Sequence, residues 1–181
     1  MTGDDPGRML VAGVGNIFKS DDGFGTAVVA RLAERARREW PEWVRLHDYG
    51  IGGVHLAYDL LDGYDQVVLV DAMRRPGGEP GTVYVIEVQC PPVDAGTVSA
   101  MDPHDLAPES VLALVPALGG SVPPVTVVGC EPESTEDGMG LSELVVAQVE
   151  VAARIVDGLV TEAAARRPDT FRSAVPAARL D

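Results

Sequence analysis

Apolar residues fall in short blocks along this chain, and the blocks alternate between two spacings. "MLVAGV", residues 9–14, is continuous and contains a glycine near its end, the pattern of a strand buried on both faces. From Phe24 the spacing becomes helical: Phe24, Val28 and Leu32 recur, with Val29 and Ala36 beside them. This predicts a helix from about Gly23 to Glu39, stopped by Pro41, with Ser20, Asp21 or Asp22 as its cap. "WVRLHDYG" predicts a second strand, and "GVHLAYDLLDG" a short amphipathic helix closed by Gly63. "QVVLVDA", residues 66–72, is the third and most hydrophobic strand. After the turn "RRPGGEP", the alternating, β-branched "GTVYVIEV", 81–88, predicts a fourth. Residues 89–101 are irregular. A helix is expected from about His104 to Leu118, and "VTVVGC", 125–130, predicts a fifth strand. Leu141, Leu144, Val145, Val149, Ala152, Ile155, Val156 and Leu159 mark a long last helix capped by Ser142. The periodicity fades near Ala165, so residues 1–165 are expected to form a single domain and residues 166–181 a flexible, Arg-rich tail.

Helices that alternate with doubly buried strands predict the α/β class. The expected architecture is a three-layer αβα sandwich, with a mostly parallel five-stranded sheet and helices on both faces. The link between strands three and four is too short for a parallel crossover, so one strand is expected to be antiparallel. Sites in such sheets gather at the carboxyl ends of the strands.

Composition narrows the function. Hydrophobic residues make up 46% of 181, enough for a substantial core. No apolar run is long enough to span a bilayer. The opening "MTGDDPGRML" lacks the basic-then-apolar order of a secretory signal, so a cytoplasmic protein is expected. The net charge of −14 argues against nucleic acid and anionic membranes as partners. Cys90 and Cys130 form no metal-binding or redox motif and read as structural thiols.

"GVGNIFKSDDGFG", residues 13–25, looks at first like a nucleotide loop. The dinucleotide fingerprint requires glycine where Phe18 stands, and no glycine precedes Lys19-Ser20 to make a P-loop. Asp21 and Asp22 would also repel a phosphate. Acidic groups instead recur at strand ends: Asp22 after the first strand, Asp48 ending the second and Asp71 ending the third. His104 opens a later helix. Carboxylates crowded on one rim repel unless a cation lies among them. Two carboxylates and an imidazole make an N/O set suited to nickel, zinc or manganese, with positions open for water or substrate. Each residue also has a plain structural use: Asp22 as a helix cap, Asp71 as a turn cap, His104 as a core histidine. His47 and His55 read as structural. No G-x-S-x-G elbow is present, and neither a serine nor Cys130 has an evident activating base.

Four stretches, in order, resemble the hydrogenase maturation endopeptidases. "LVAGVGNIFKSDDGFG" is similar to the family's first strand and its G-x-G-N…D-[DE]-G-x-G loop. "VVLVDAM" is similar to its third strand with the terminal aspartate, and "DPHDL" to its [ST]-x-H-x-[LM] motif. "VTVVGCEPES…GLSELV" is similar to its last strand, G-x-x-P-E turn and final helix. The resemblance covers roughly residues 8–160. It implies an endopeptidase that removes the carboxyl-terminal extension of a nickel-loaded nickel–iron hydrogenase large-subunit precursor. Asp22, Asp71 and His104 are implied as its metal ligands and catalytic residues. The nickel is expected to arrive with the substrate, with zinc or cadmium able to stand in. Asp48, Gly50, Gly13, Gly15 and Asn16 fall in regions implied in substrate recognition, and Asp48 or Asp21 is a candidate general base. Relatives carry D-G-G-T where this chain has Asp48-Tyr49-Gly50-Ile51, which bears on the choice of target. The same residues would also serve a non-catalytic, nickel-sensing assembly chaperone. A monomer is expected in isolation.

Overall fold

Three strands have almost no exposed face. β1 (Met9–Val14) and β5 (Val125–Cys130) are buried at every position, and β3 (Gln66–Ala72) at its five middle positions. The computed structural model describes residues 7–88 and 108–166. β2 (Val44–Gly50) and β4 (Val83–Val88) are only partly buried. The sheet order β2-β1-β3-β5-β4 explains the difference, because the partly buried strands are its two edges. β1, β2, β3 and β5 run parallel. β4 is antiparallel and pairs with β5, which inserts between β4 and its sequence neighbour β3.

Among the described residues, four α-helices cover the sheet. α1 (Phe24–Glu39) and α4 (Glu143–Ala165) pack on one face, where Phe24, Val28, Leu32, Val145 and Val156 join Met9, Val11, Val68 and Val70. α2 (Gly53–Leu60) and α3 (Pro108–Ala117) pack on the other, where Leu56, Leu60, Leu112 and Val115 meet Leu10, Val67, Leu69 and Val127. This is the expected three-layer sandwich. Burying each large aliphatic side chain in these layers contributes roughly 1.5–3 kcal/mol. Asp157 ties α1 to α4, accepting from Arg35 Nη1 and, at 3.0 Å, from Trp40 Nε1.

The boundaries follow the sequence with one correction. α1 has Gly23 as its N-cap and no side-chain cap, in place of Ser20, Asp21 or Asp22. Those residues form a separate 3-10 turn, Ser20–Gly23, whose acidic side chains bond elsewhere. Ser142 does cap α4, its Oγ accepting from Val145 N. The expected start of the third helix at His104 and nearly all of the tail beyond Ala165 lie outside the described residues. Among the described residues, no helix is long and apolar enough to cross a membrane.

Candidate active site

The strand order reverses between β1 and β3, the crevice where open α/β sheets place their sites. The loop after β1 fills the mouth of that crevice. Its glycines allow backbone to approach backbone. A Cβ on Gly25, in the first turn of α1, would collide with the carbonyl oxygens of Val14, the last residue of β1, and Val70, two residues before the end of β3. Gly15 has φ +133, and a Cβ there would strike the carbonyl of Asp22. Gly13 is buried beneath α1, against Val29 and Gly25. The motif that looked like a phosphate cradle packs a helix start tightly onto two strand ends.

Asn16 organises the loop further. Its side-chain Oδ1 accepts from Phe18 N at 3.0 Å, and its own N–H donates to Asp22 Oδ2 at 2.8 Å. Asp22 is half-buried and held from one oxygen. The 3-10 turn that carries it packs against β3.

Asp21 is its opposite. It is wholly buried, and its carboxylate takes four hydrogen bonds: from Ser142 N (2.6 Å), Ser142 Oγ (3.0 Å), Glu133 N (2.9 Å) and Ser134 N (3.0 Å). Burial disfavours its charge, but the donors from Ser142, Ser134 and Glu133 outweigh that and hold the carboxyl below its ordinary value. These bonds latch the loop after β1 to the loop after β5, as do Ser20 N to Gly138 O and Gly138 N to Phe18 O, both 2.9 Å. Asp21 is therefore a structural anchor and not an available base.

Asp71 is the next-to-last residue of β3 and is 7% exposed. Strand alternation with Val67 and Leu69 sets it on the face of α2 and α3. Asp48 faces the other way. Its Oδ1 accepts from Thr26 Oγ1 of α1 and from Gly50 N, both at 3.0 Å. Gly50, with φ +50, accepts from Gly15 N at 2.9 Å, which joins the β2 and β1 loops. Tyr49 lies at a register shift between β1 and β2, and its hydroxyl donates to Asp59 Oδ2 at 2.6 Å, tying the departing loop to α2. So Asp22, Asp48 and Asp71 share one rim, but Asp48 and Asp71 lie on opposite faces of the sheet.

His104 lies outside the described residues. The helix it precedes is informative. α3 ends near Leu61, the residue group just before β3 begins: a Cβ on Gly120 would meet Leu61 Cδ2 and Val115 Cγ1. α3 thus runs antiparallel to the parallel strands, with its amino end toward the rim and on the face of Asp71. Among the described residues, no three His, Cys, Asp or Glu side chains form a metal-holding group. Asp22 and Asp71 each offer carboxylate oxygens, donors of the kind that hard and borderline cations take.

Sequence reasoning missed Glu131. It is 4% exposed, and its carboxylate accepts from Arg75 N (3.0 Å to Oε2) and Tyr84 Oη (3.3 Å). Its backbone bonds Gly81 and Thr82, so it fixes the whole 73–82 turn beside Asp71. The only signal was an acid ending a hydrophobic strand, in "GCEPES". Cys130 is buried, and burial, with Asp21 and Glu131 nearby, pushes its thiol up to about 12. It stays protonated near neutral pH and is no nucleophile.

The chain is similar to known proteins over most of its length. A family model described as hydrogenase maturation protease matches residues 26–158. The hydrogenase 2 maturation protease of Escherichia coli (strain K12) is 32% identical over 145 residues, covering 80% of this chain and 85% of that one. The hydrogenase expression/formation protein HoxM of Azotobacter vinelandii is 34% identical over 172 residues, covering 92% and 81%. Among solved structures, the hydrogenase maturating endopeptidase HybD from E. coli superposes with a TM-score of 0.68 at 30% identity, covering 86% of this chain and 93% of that one. The [NiFe] hydrogenase maturation protease HycI from Thermococcus kodakarensis gives 0.65 at 25% identity, covering 87% and 95%.

Proposed function

The chain belongs to the hydrogenase maturation protease family, and on that premise we propose that it is a cytoplasmic, monomeric endopeptidase that trims the carboxyl-terminal extension of a nickel-loaded hydrogenase large-subunit precursor. In this reading the nickel is part of the substrate. Asp22, Asp71 and His104 add oxygen and nitrogen donors to an ion that the precursor already holds. Open positions on such an ion leave room for both proteins' ligands. The ion supplies Lewis acidity; the protein supplies orientation, holding the scissile peptide against the rim while water adds and the peptide bond breaks to a carboxylate and an amine.

The observation that carries the reading is the Asn16–Asp22 pair. A carboxylate held by one backbone N–H, on a turn packed against the strand that carries Asp71, is oriented yet keeps its second oxygen without a hydrogen bond among the described residues. Asp21, one residue earlier, has both oxygens engaged.

The test is mass spectrometry of a nickel-loaded precursor incubated with the protein. Release of the tail is expected, and both Asp71→Asn and His104→Ala should reduce it by at least about a hundredfold while circular dichroism stays unchanged. Retained cleavage by His104→Ala would remove that residue from the ligand set. A nickel-dependent complex with no release would favour the assembly chaperone.

A further inference from the structure

The mechanism above leaves one shaped feature unused. On the face of the sheet that carries Asp71, a groove of about 250 Å³ opens between the 73–76 turn, the β4–β5 pair and α3. Met73, Ile86, Leu112 and Val127 give it apolar walls, and Arg74 and Arg75 flank it. The groove begins at Met73, two residues after Asp71, and runs down the sheet face toward Val88, which pairs with Val125 at the start of β5.

The two arginines are unusual for this chain. The protein carries 28 acidic against 14 basic side chains, and five of its arginines make ion pairs among the described residues. Neither Arg74 nor Arg75 has a carboxylate within ion-pair distance of its guanidinium among those residues. Both are nevertheless oriented. Arg74 Nη2 donates to Thr135 Oγ1 at 3.1 Å, and the Arg75 guanidinium lies 5.2 Å over the Tyr84 ring. The backbone of Arg75 is fixed by Glu131. Two guanidinium groups held in place without an ion pair among the described residues, beside an apolar trough, complement a peptide that offers an aliphatic side chain next to a carboxylate.

We propose that this groove is a subsite for the precursor's extended segment beside the scissile bond. It seats an aliphatic side chain against Met73, Ile86, Leu112 and Val127, and it holds a neighbouring acidic side chain on Arg74 and Arg75. The proposal rests on the protease reading for the identity of the substrate, but not for the binding itself. The arginines act as specificity-determining residues that fix the register of the peptide against Asp71.

The binding is read without any cleavage by titrating ¹⁵N-labelled protein with the peptide acetyl-Ala-Leu-Glu-Ala-amide. Amide shifts are expected at Met73, Arg75, Ile86, Leu112 and Val127. The peptide with Gln in place of Glu should bind about tenfold more weakly, as should the Glu peptide to the double variant Arg74→Gln, Arg75→Gln. In precursor processing, that double variant should raise KM about tenfold and change kcat by less than about twofold. Equal binding of the Glu and Gln peptides, or shifts confined to other surfaces, overturns the subsite. If Asp71→Asn abolishes processing while the double variant keeps a wild-type KM, the subsite fails and the protease reading stands. If the Glu peptide binds selectively but no precursor is cut, the subsite stands and the protease reading fails.

Discussion

Asp21 and Asp22 carry the same side chain at adjacent positions and have opposite surroundings. One lies sealed under four donors; the other holds a single backbone N–H at the rim. The sequence marked both as acids in a strand-to-helix loop. It did not mark which was which, because the donors to Asp21 come from Glu133, Ser134 and Ser142, more than a hundred positions away. An amide in place of Asp21 keeps one acceptor oxygen and replaces the other with an NH2 donor, which faces N–H and O–H groups it cannot accept from. Asp21→Asn is therefore expected to cost about 3 kcal/mol at neutral pH, measured by urea unfolding. The pH dependence has a definite sign. The folded carboxyl titrates below the unfolded one, so its stabilisation is complete above the unfolded value of about 3.9 and disappears as pH falls through the folded value. The gap between wild type and Asp21→Asn should accordingly narrow as urea midpoints are followed below about pH 4.

Among the elements, the strands and helices were legible from spacing, and their contacts were not. Continuous apolar runs gave β1, β3 and β5, because both faces of each are covered. Spacing says nothing about which strand lies beside which, so the insertion of β5 between β3 and β4 had no local signal. The glycine loop was misleading for a related reason: glycine accommodates a phosphate and a neighbouring backbone equally well. Here the neighbour is backbone, and Gly25 makes the case testable. Alanine is favoured over glycine within a helix by about 1 kcal/mol. At residue 25 its Cβ would press on the Val14 and Val70 carbonyls, which belong to the sheet and have little room to yield. Gly25→Ala is expected to destabilise by about 2–4 kcal/mol, read as a lowered thermal midpoint, with the sign opposite to helix propensity.

The molecule as a whole carries a net charge of −14, and this was plain from composition. Self-repulsion of that size opposes the compact state and is screened by salt. Raising sodium chloride from about 10 mM to about 300 mM should raise the melting temperature by several degrees, as followed by calorimetry. The class of fold and its rim were equally plain, since buried strands alternating with helices admit few arrangements. The opposed facing of Asp48 and Asp71 was not, because it depends on the register between strands: Asp48 and Val70 both pair with Gly13, which leaves Asp71 one step out of phase with Asp48. The two apolar layers have a mechanical consequence. Asp22 descends from the α1/α4 layer, to which Asp21 and Ser142 bolt its turn, whereas Asp71 and the groove open toward the α2/α3 layer. The turn of Asp22 is thus braced by one helical layer and rests on the strand of Asp71, whose side chain faces the other layer, so a repacking of either layer reaches the rim through a different acid.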